Sequence, residues 1–239
     1  MNTRLIAKLT TILSAISTLP TTSAMAQTVN PNPPYSIVDR GPFYRVFERT
    51  VPAANSLSGE ISQQVQRFTE LSDGMHYLRN GQWVEAQDVI AVTATGAQAI
   101  HGQMTADFNS DITSVGAIRL TTATEEFQSH PIGLLYMDSV SGKVAQIGAI
   151  QQGAGILYPP NIIVFSNVLS GVRADLMLVW AKNGFEQNLV LHQNPPRPES
   201  FSLASATTVH WGNFACRFRD CEYIHTFLWR RLHLGSRGF

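Results

Sequence analysis

Short stretches in which apolar and polar residues alternate follow one another along the chain, and turn-forming residues separate them. The clearest are residues 75–79 and 82–85, which flank the pair Asn80-Gly81. Asn-Gly tolerates the positive φ angles of a type I′ turn, the turn that joins two adjacent strands in a tight hairpin. The cross-strand pairs that this turn predicts are Leu78 with Trp83 and His76 with Glu85.

The same kind of pattern recurs from residue 43 to residue 194. Several stretches place apolar residues at alternate positions, as a strand with one buried face does. Two predicted apolar faces are Ile100, Met104, Ala106 and Phe108, and Ala174, Leu176, Leu178 and Trp180. The predicted strands are residues 43–50, 61–71, 75–79, 82–85, 89–95, 97–108, 117–122, 133–137, 143–150, 162–168, 172–181 and 185–192.

No stretch keeps a helical period of about 3.6 residues for long enough to predict a helix. Short strands with turns between them are typical of a sandwich or a barrel. The predicted fold class is all-β: an antiparallel β-sandwich of hairpin-connected strands, preceded by a signal peptide.

The first 26 residues have the three parts of a secretory signal peptide. Arg4 and Lys8 accompany a short apolar run, and residues 24–26 (Ala-Met-Ala) give the small-residue pattern that signal peptidase accepts. Cleavage is predicted between Ala26 and Gln27, and the alternative is an amphipathic N-terminal helix. The run is too short and polar for a membrane span of about 20 residues. We therefore expect no membrane span after signal removal, and a secreted, periplasmic or cell-surface protein.

Proline divides the remaining chain. Residues 27–42 are predicted to be a Pro-rich extended leader, because a residue that precedes proline is biased away from the helix. Residues 43–194 are the predicted β-sandwich-like domain. Residues 195–209 are a predicted Pro-rich linker, since proline cannot donate to a strand ladder, and residues 210–239 are an atypical tail.

Several motifs of this region resemble a known group of proteins. They are residues 68–77 (FTELSDGMHY) and 80–85 (NGQWVE), 173–176 (RADL), 183–188 (NGFEQN) and 195–200 (PPRPES). They resemble the N-terminal β-rich region of large, uncharacterised exported bacterial proteins, some of which have repeat-rich extracellular architectures. The resemblance covers roughly residues 35–208. It implies an exported N-terminal β module followed by much more protein, and it implies no catalytic motif.

Composition narrows the function classes. The chain has 239 residues, 44% of them hydrophobic and 14% charged, with 17 basic and 17 acidic residues. Intrinsic disorder combines low hydrophobicity with high net charge and is not expected. The net charge is +2 for residues 1–26, −5 for residues 27–209 and +3 for residues 210–239. The acidic central part lacks the basic stripe that nucleic-acid binding requires, so no nucleic-acid partner is expected.

The tail is compositionally unlike the rest, because it holds both cysteines and is rich in aromatic and basic residues. Three interpretations stay open. A disulfide between Cys216 and Cys221 is permitted in an exported protein. A zinc site could use His210 and His225 with both cysteines, although the spacing is unlike that of zinc fingers. The third interpretation is that the tail is an out-of-frame or truncated segment, since it is inconsistent with the β domain before it.

The sequence contains no G-x-S-x-G elbow for a nucleophilic serine. The adjacent pair Glu125-Glu126 would point to opposite faces of a strand, so these two carboxylates cannot converge as in a glycosidase. Asp107, Asp111 and Asp138 offer oxygen ligands for calcium, but no EF-hand loop surrounds them. We therefore lean towards a protein that is not an enzyme, and we predict no metal and no cofactor.

Aromatic side chains give the only predicted binding residues. Tyr77, Trp83 and Trp180 are the candidate ligand-binding residues, with Tyr136 as a further aromatic position. The alternative for each is packing in the core, which is the usual role of large aromatic residues in strands. The predicted function is an exported β-sandwich module with a structural or binding role at the cell exterior, as the N-terminal part of a larger protein. The alternatives are a module that binds or hydrolyses carbohydrate, and a pro-domain or inhibitor of a secreted enzyme. The predicted partner is an extracellular glycan or protein.

Overall fold

The computed structural model describes the backbone of residues 33–54, 61–217 and 220–222. These residues form seventeen β-strands and one short 3₁₀ helix, Pro198–Phe201, and all strand pairs are antiparallel. The predicted all-β class is confirmed. Within the described ranges no helix is long and apolar enough to cross a bilayer.

Two small sheets come first in the chain. A three-stranded sheet, which we call the arm, contains β1 (Ser36–Gly41), β2 (Tyr44–Ala54) and β3 (Ile61–Leu71) in that order. A two-stranded hairpin follows, made of β4 (His76–Arg79) and β5 (Gln82–Glu85). These two sheets lie beside the larger body of the protein.

The body consists of an eight-stranded sheet and a four-stranded sheet. The strands of the larger sheet are β6 (Ala91–Val92), β7 (Gly96–Ala99), β8 (Thr105–Asn109), β9 (Ile118–Thr121), β10 (Glu126–Met137), β11 (Val144–Ala149), β16 (Thr208–Arg217) and β17 (Asp220–Glu222). Their order is β17-β16-β10-β9-β8-β7-β6, and β11 pairs with β10 beyond the end of β9. The strands of the smaller sheet, in spatial order, are β12 (Gly155–Tyr158), β13 (Ile162–Phe165), β14 (Ala174–Ala181) and β15 (Gly184–Leu191).

The inner faces of these two sheets form one hydrophobic core, as in a β-sandwich. The predicted face of β14 is confirmed, because Ala174, Leu176, Leu178 and Trp180 are all buried. The Phe108 ring, from the larger sheet, lies 5.6 Å from the Phe185 ring of the smaller sheet. Removing this alternating apolar surface from water is the main driving force for the packing of the two sheets.

The other predicted face is partly wrong. Ala106 and Phe108 are buried in β8, but Ile100 is exposed. The chain leaves the sheet after Ala99 and returns at Thr105, so the alternation does not continue through residues 100–104. A strand was predicted through this segment because its apolar residues keep the right spacing, and the spacing alone does not reveal the turn.

Proline is accommodated in the longest strand of the larger sheet. β10 starts at Glu126, seven residues before the start of the predicted strand at residue 133, and it includes the buried Pro131. The pairing with β16 shifts register between Pro131 and Gly133. A proline has no N–H to donate, so a bulge is where a sheet tolerates it.

The segments at both sides of the predicted domain take part in the fold. β1 lies within the predicted leader and pairs with β2. In the predicted linker, Leu203 is buried in the core and the Phe201 ring packs 5.8 Å from the Tyr136 ring. The predicted boundary at residue 209 falls inside β16, where Trp211 is buried. The apolar residues that follow the prolines of the linker therefore pack against the body.

The tail cysteines face each other in backbone register. β16 and β17 pair with Cys216 opposite Cys221. Opposite residues of antiparallel strands have Cα atoms about 4.5–5.5 Å apart, within the range of about 4.4–6.8 Å that a disulfide spans. The side chains of both cysteines, the whole of His225 and the predicted signal peptide with its Ala26–Gln27 site lie outside the described residues. The disulfide, the zinc site and signal cleavage stay predictions.

Candidate ligand-binding groove

A groove of about 860 Å³ opens where the β4–β5 hairpin meets the loops of the sandwich. The other lining segments are residues 42–43 and 73–74, the loops around residues 102–105 and 121–124, and residues 182–183. Protein pockets that bind small ligands commonly have volumes of about 300–1,000 Å³. This groove is therefore large enough for a ligand of several ring units.

The hairpin supplies Tyr77, Leu78 and Trp83 to the groove. Asn80 and Gly81 have φ angles of 51° and 78°, which are those of the predicted type I′ turn. The predicted pairs are confirmed, because Leu78 lies opposite Trp83 and His76 lies opposite Glu85. Local sequence thus fixes which hairpin side chains are neighbours.

Buried hydrogen bonds hold the hairpin on the body. His76 is fully buried, and its Nδ1 lies 2.8 Å from the carbonyl oxygen of Gly41. The Gln103 side-chain amide donates to the carbonyl oxygens of Pro42, at 2.7 Å, and of His76, at 2.9 Å. A single amide group therefore joins the arm, the hairpin and a loop of the larger sheet behind the groove.

One wall of the groove forms where the backbone at Gly74 lies close to the backbone at Lys182. Gly74 has a φ of +61°, and a Cβ atom at this position would lie 2.0 Å from the carbonyl oxygen of Lys182. The Lys182 N–H in turn donates to the carboxylate of Asp88. Only glycine adopts this φ without cost and leaves room for the carbonyl group. The β14–β15 turn can therefore approach the base of the hairpin closely.

Ion pairs connect the arm to the hairpin. The Arg45 guanidinium lies 2.6 Å from a Glu70 carboxylate oxygen and 3.3 Å from one of Glu85. The hydrogen bond from Arg45 lowers the pKa of Glu70 below its usual value. The side chains of Arg45, Glu70 and Glu85 are all partly exposed, and exposed ion pairs contribute little to stability. We therefore expect these ion pairs to orient the arm relative to the hairpin more than to stabilise the fold.

Large apolar side chains line the groove and face solvent. The exposed fractions are 37% for Trp83, 51% for Phe43 and 59% for Leu78. The Tyr77 hydroxyl lies 3.1 Å from Nδ1 of His101, which fixes the edge of that ring. The groove therefore offers an aromatic and aliphatic surface that the described residues leave exposed.

Polar groups surround this surface. The lining includes Gln103 and Asn183 and one residue of each charge, Asp73 and Lys182. Its threonine residues are Thr105, Thr121, Thr122 and Thr124. This combination can contact a ligand that has both apolar faces and hydroxyl groups, because aromatic surface and hydrogen-bonding groups lie side by side.

The structure separates the predicted binding residues into two groups. Tyr77 and Trp83 come together in the groove, whereas Trp180 is 1% exposed and Tyr136 is 3% exposed. Trp180 lies beneath the groove, where a Cβ atom on Gly102 would be 3.9 Å from its ring. The Tyr136 hydroxyl donates to the carbonyl oxygen of Pro196 at 2.7 Å. Both residues therefore pack in the core, as the alternative to a binding role predicted. The prediction that Trp180 belongs to the binding surface is corrected.

Sequence reasoning missed Phe43, Gln103 and Lys182. Phe43 begins a predicted strand and carries no feature of a binding residue. Gln103 lies in a segment that was predicted as a strand, and its role depends on carbonyl groups more than 25 residues away. Leu78 could have been found, because the predicted hairpin already placed it opposite Trp83.

The candidate acids do not form a catalytic cluster in the described residues. Glu126 accepts a hydrogen bond from Gln128 at 2.6 Å and lies near Arg119, outside the groove. Hydroxyl groups of Thr113 and Ser141 lower the pKa values of Asp111 and Asp138, each in its own turn. No group of three or more His, Cys, Asp or Glu side chains in the described ranges could hold a metal ion.

No known protein family, no curated protein and no solved structure matches this chain. The fold and the groove define an all-β protein with an aromatic groove where a hairpin meets the body. The resemblance to exported bacterial β modules stays a prediction.

Proposed function

We propose that this chain is an exported binding module that holds a neutral oligosaccharide in the groove. The exposed Trp83, Phe43 and Leu78 side chains, set in a groove of about 860 Å³, carry this proposal. Apolar and aromatic side chains exposed in a concave groove, with polar groups beside them, are typical of a ligand-binding pocket. Export rests on the predicted signal peptide, which places the ligand outside the cytoplasm.

The polar groups favour a ligand with many hydroxyl groups and little net charge. Four threonine residues and Asn183 surround the apolar surface, and only one acid and one base are present among the described lining residues. Sugar rings have apolar C–H faces that pack on aromatic rings and hydroxyl groups that hydrogen-bond at the ring edge. The groove provides surfaces for both.

Binding is favoured over hydrolysis. A glycosidase holds two carboxyl groups about 5–10 Å apart across the scissile bond. Asp73 is the one carboxylate among the described residues that line the groove. Binding without bond cleavage is therefore the function that this site supports best.

Trp83→Ala is expected to weaken oligosaccharide binding by about tenfold or more, because it removes a large part of the aromatic surface. The measurement is binding of the purified full chain to a glycan array, followed by titration calorimetry with the glycan retained. The matched control is Tyr158→Ala, which removes a similarly exposed aromatic side chain of β12 outside the groove. Equal binding by the wild-type protein and Trp83→Ala, or no glycan retained by the wild-type protein, would contradict the proposal.

Ionic strength is expected to change the affinity by less than about twofold between 0.05 and 0.5 M salt, because screening acts on charged ligands. The same calorimetric titration, repeated over this range, measures the effect. A steep decrease in affinity with added salt would show that the ligand is charged and that Lys182 or Asp73 dominates recognition.

A further inference from the structure

The outer edge of β3 is a second surface without a partner in the described residues. The order of the arm is β1-β2-β3, so β3 pairs with β2 on one side only. Its eleven residues extend over about 36 Å, at about 3.3 Å per residue. Ile61 and Leu71, at the two ends of the strand, are 69% and 75% exposed.

This edge lacks most of the features by which proteins usually prevent strand pairing. Such features are short strands, bulges, prolines and charged side chains, lysine above all. β3 contains no proline and no lysine, and its register with β2 is continuous from Ile61 to Leu71. Its two charged residues, Arg67 and Glu70, each form an ion pair with β2, to Glu48 and Arg45. Among the described residues, the edge is therefore open to another strand.

The direction of the free backbone groups follows from the pairing with β2. The N–H of Ser72 donates to the carbonyl oxygen of Phe43 at 3.0 Å, in continuation of the register of β3. Backbone groups alternate in direction along a strand, so the even-numbered residues of β3 bond to β2. The six residues that direct N–H and C=O groups to the free edge are Ile61, Gln63, Val65, Arg67, Thr69 and Leu71.

We propose that β3 pairs antiparallel with β3 of a second copy of this chain, with Gln66 on the two-fold axis. This register uses the full strand and pairs all six outward-directed residues with each other, which gives about twelve hydrogen bonds. It places Ile61 opposite Leu71 of the other copy, so that the two most exposed apolar side chains of the strand cover each other. The inference is independent of the ligand that the groove binds.

Neighbouring registers are less favourable. If Arg67 lies on the axis, its guanidinium faces that of the other copy, and like charges directly opposite are destabilising. If Val65 lies on the axis, Leu71 pairs with residue 59, beyond the start of β3. The register centred on Gln66 opposes no like charges, because Arg67 faces Val65 and Glu70 faces Ser62.

Cysteine cross-linking tests the register. The even-numbered pairs at this edge are the non-hydrogen-bonded ones, whose Cα atoms lie about 4.5 Å apart, and a disulfide can span that distance. Gln66→Cys in the full chain is expected to form an intermolecular disulfide on mild oxidation, located by peptide mass mapping. The control is Thr69→Cys, which lies about 20 Å from its equivalent in this register. Cross-linking through Thr69→Cys and not through Gln66→Cys would overturn the proposal.

Charge substitutions at Val65 test the same pairing without a cross-link. Val65 is 57% exposed and would face Arg67 of the other copy. Val65→Lys is expected to raise the dimer dissociation constant at least tenfold, whereas Val65→Glu, at the same site, retains the dimer. Light scattering on a size-exclusion column measures the mass over a range of protein concentrations. A wild-type chain that is monomeric at all concentrations would overturn the proposal. Equal effects of Val65→Lys and Val65→Glu would overturn the register.

Discussion

Trp180→Ala is expected to lower the free energy of unfolding by about 3–5 kcal/mol, the usual cost of truncating a large buried aromatic residue. Trp180 is 1% exposed and lies in the core below the groove. Its Nε1 has no hydrogen-bond partner within the described structure, so the loss comes from apolar contacts and from the cavity that remains. Chemical denaturation of the full chain, followed by circular dichroism, measures the change.

The matched substitution is Trp83→Ala, which we expect to cost less, about 1–2 kcal/mol, because more than a third of that residue is already exposed. The two tryptophans therefore separate stability from binding. Trp180→Ala should affect the fold, and Trp83→Ala should affect ligand binding with the fold intact. Equal destabilisation by both substitutions would show that Trp83 belongs to the core and that the groove is closed in solution.

Gly74→Ala is expected to lower the free energy of unfolding by about 3 kcal/mol or more and to disturb the groove. The substitution places a side chain at φ +61°, a conformation that costs L-residues about 1–2 kcal/mol. It also places a Cβ atom 2.0 Å from the carbonyl oxygen of Lys182, which forces the β14–β15 turn away from the hairpin. Denaturation measures the stability, and glycan titration measures the effect on the groove.

The control is Gly81→Ala in the hairpin turn. Gly81 also has a positive φ, of 78°, but no atom lies within 4 Å of the position of a Cβ. Only the conformational cost of about 1–2 kcal/mol is expected there. If both alanine substitutions cost the same, the contact between Gly74 and Lys182 is not a constraint, and the groove wall can move.

The hairpin shows why some of the site could be predicted. The Asn-Gly turn fixes the register of four residue pairs within ten positions of the chain, so Leu78 and Trp83 are neighbours for local reasons. The buried face of β14 was predictable on similar grounds, because alternation along a single strand identifies the side that enters a core. Both depend on residues that are close in sequence.

Trp83 and Trp180 show where such reasoning ends. Each lies in a predicted strand and each is a large aromatic residue, so sequence pattern gave them the same candidate role. Their exposed fractions of 37% and 1% depend on what packs over each strand. The β4–β5 hairpin has one face towards the groove, and β14 lies between two neighbours of its sheet with its aromatic face in the core. No local pattern distinguishes these surroundings.

The proline-rich segments give a second example. Prolines predicted an extended leader and a linker; among the described residues, Ser36–Gly41 of the leader form a strand, whereas the linker contains the 3₁₀ helix Pro198–Phe201. The structure adds that Ser36–Gly41 pairs with β2, and that Leu203 and Tyr136 attach the later segment to the body. Proline restricts the local backbone, but contacts with distant residues decide whether an extended segment packs.

The all-β class, the hairpin with its pairs and the apolar face of β14 follow from local sequence, because turn chemistry and alternation act over a few residues. Only the packing of the sheets brings Phe43, Gln103 and Lys182 together with Tyr77 and Trp83 around one groove, covers Trp180, and leaves one edge of β3 without a partner among the described residues. These features depend on contacts between residues far apart in the sequence, such as Lys182 with Asp88 and Gln103 with Pro42, which are 94 and 61 positions apart. Such contacts follow from the packing of whole sheets, in which burial of apolar surface outweighs the preference of any single segment.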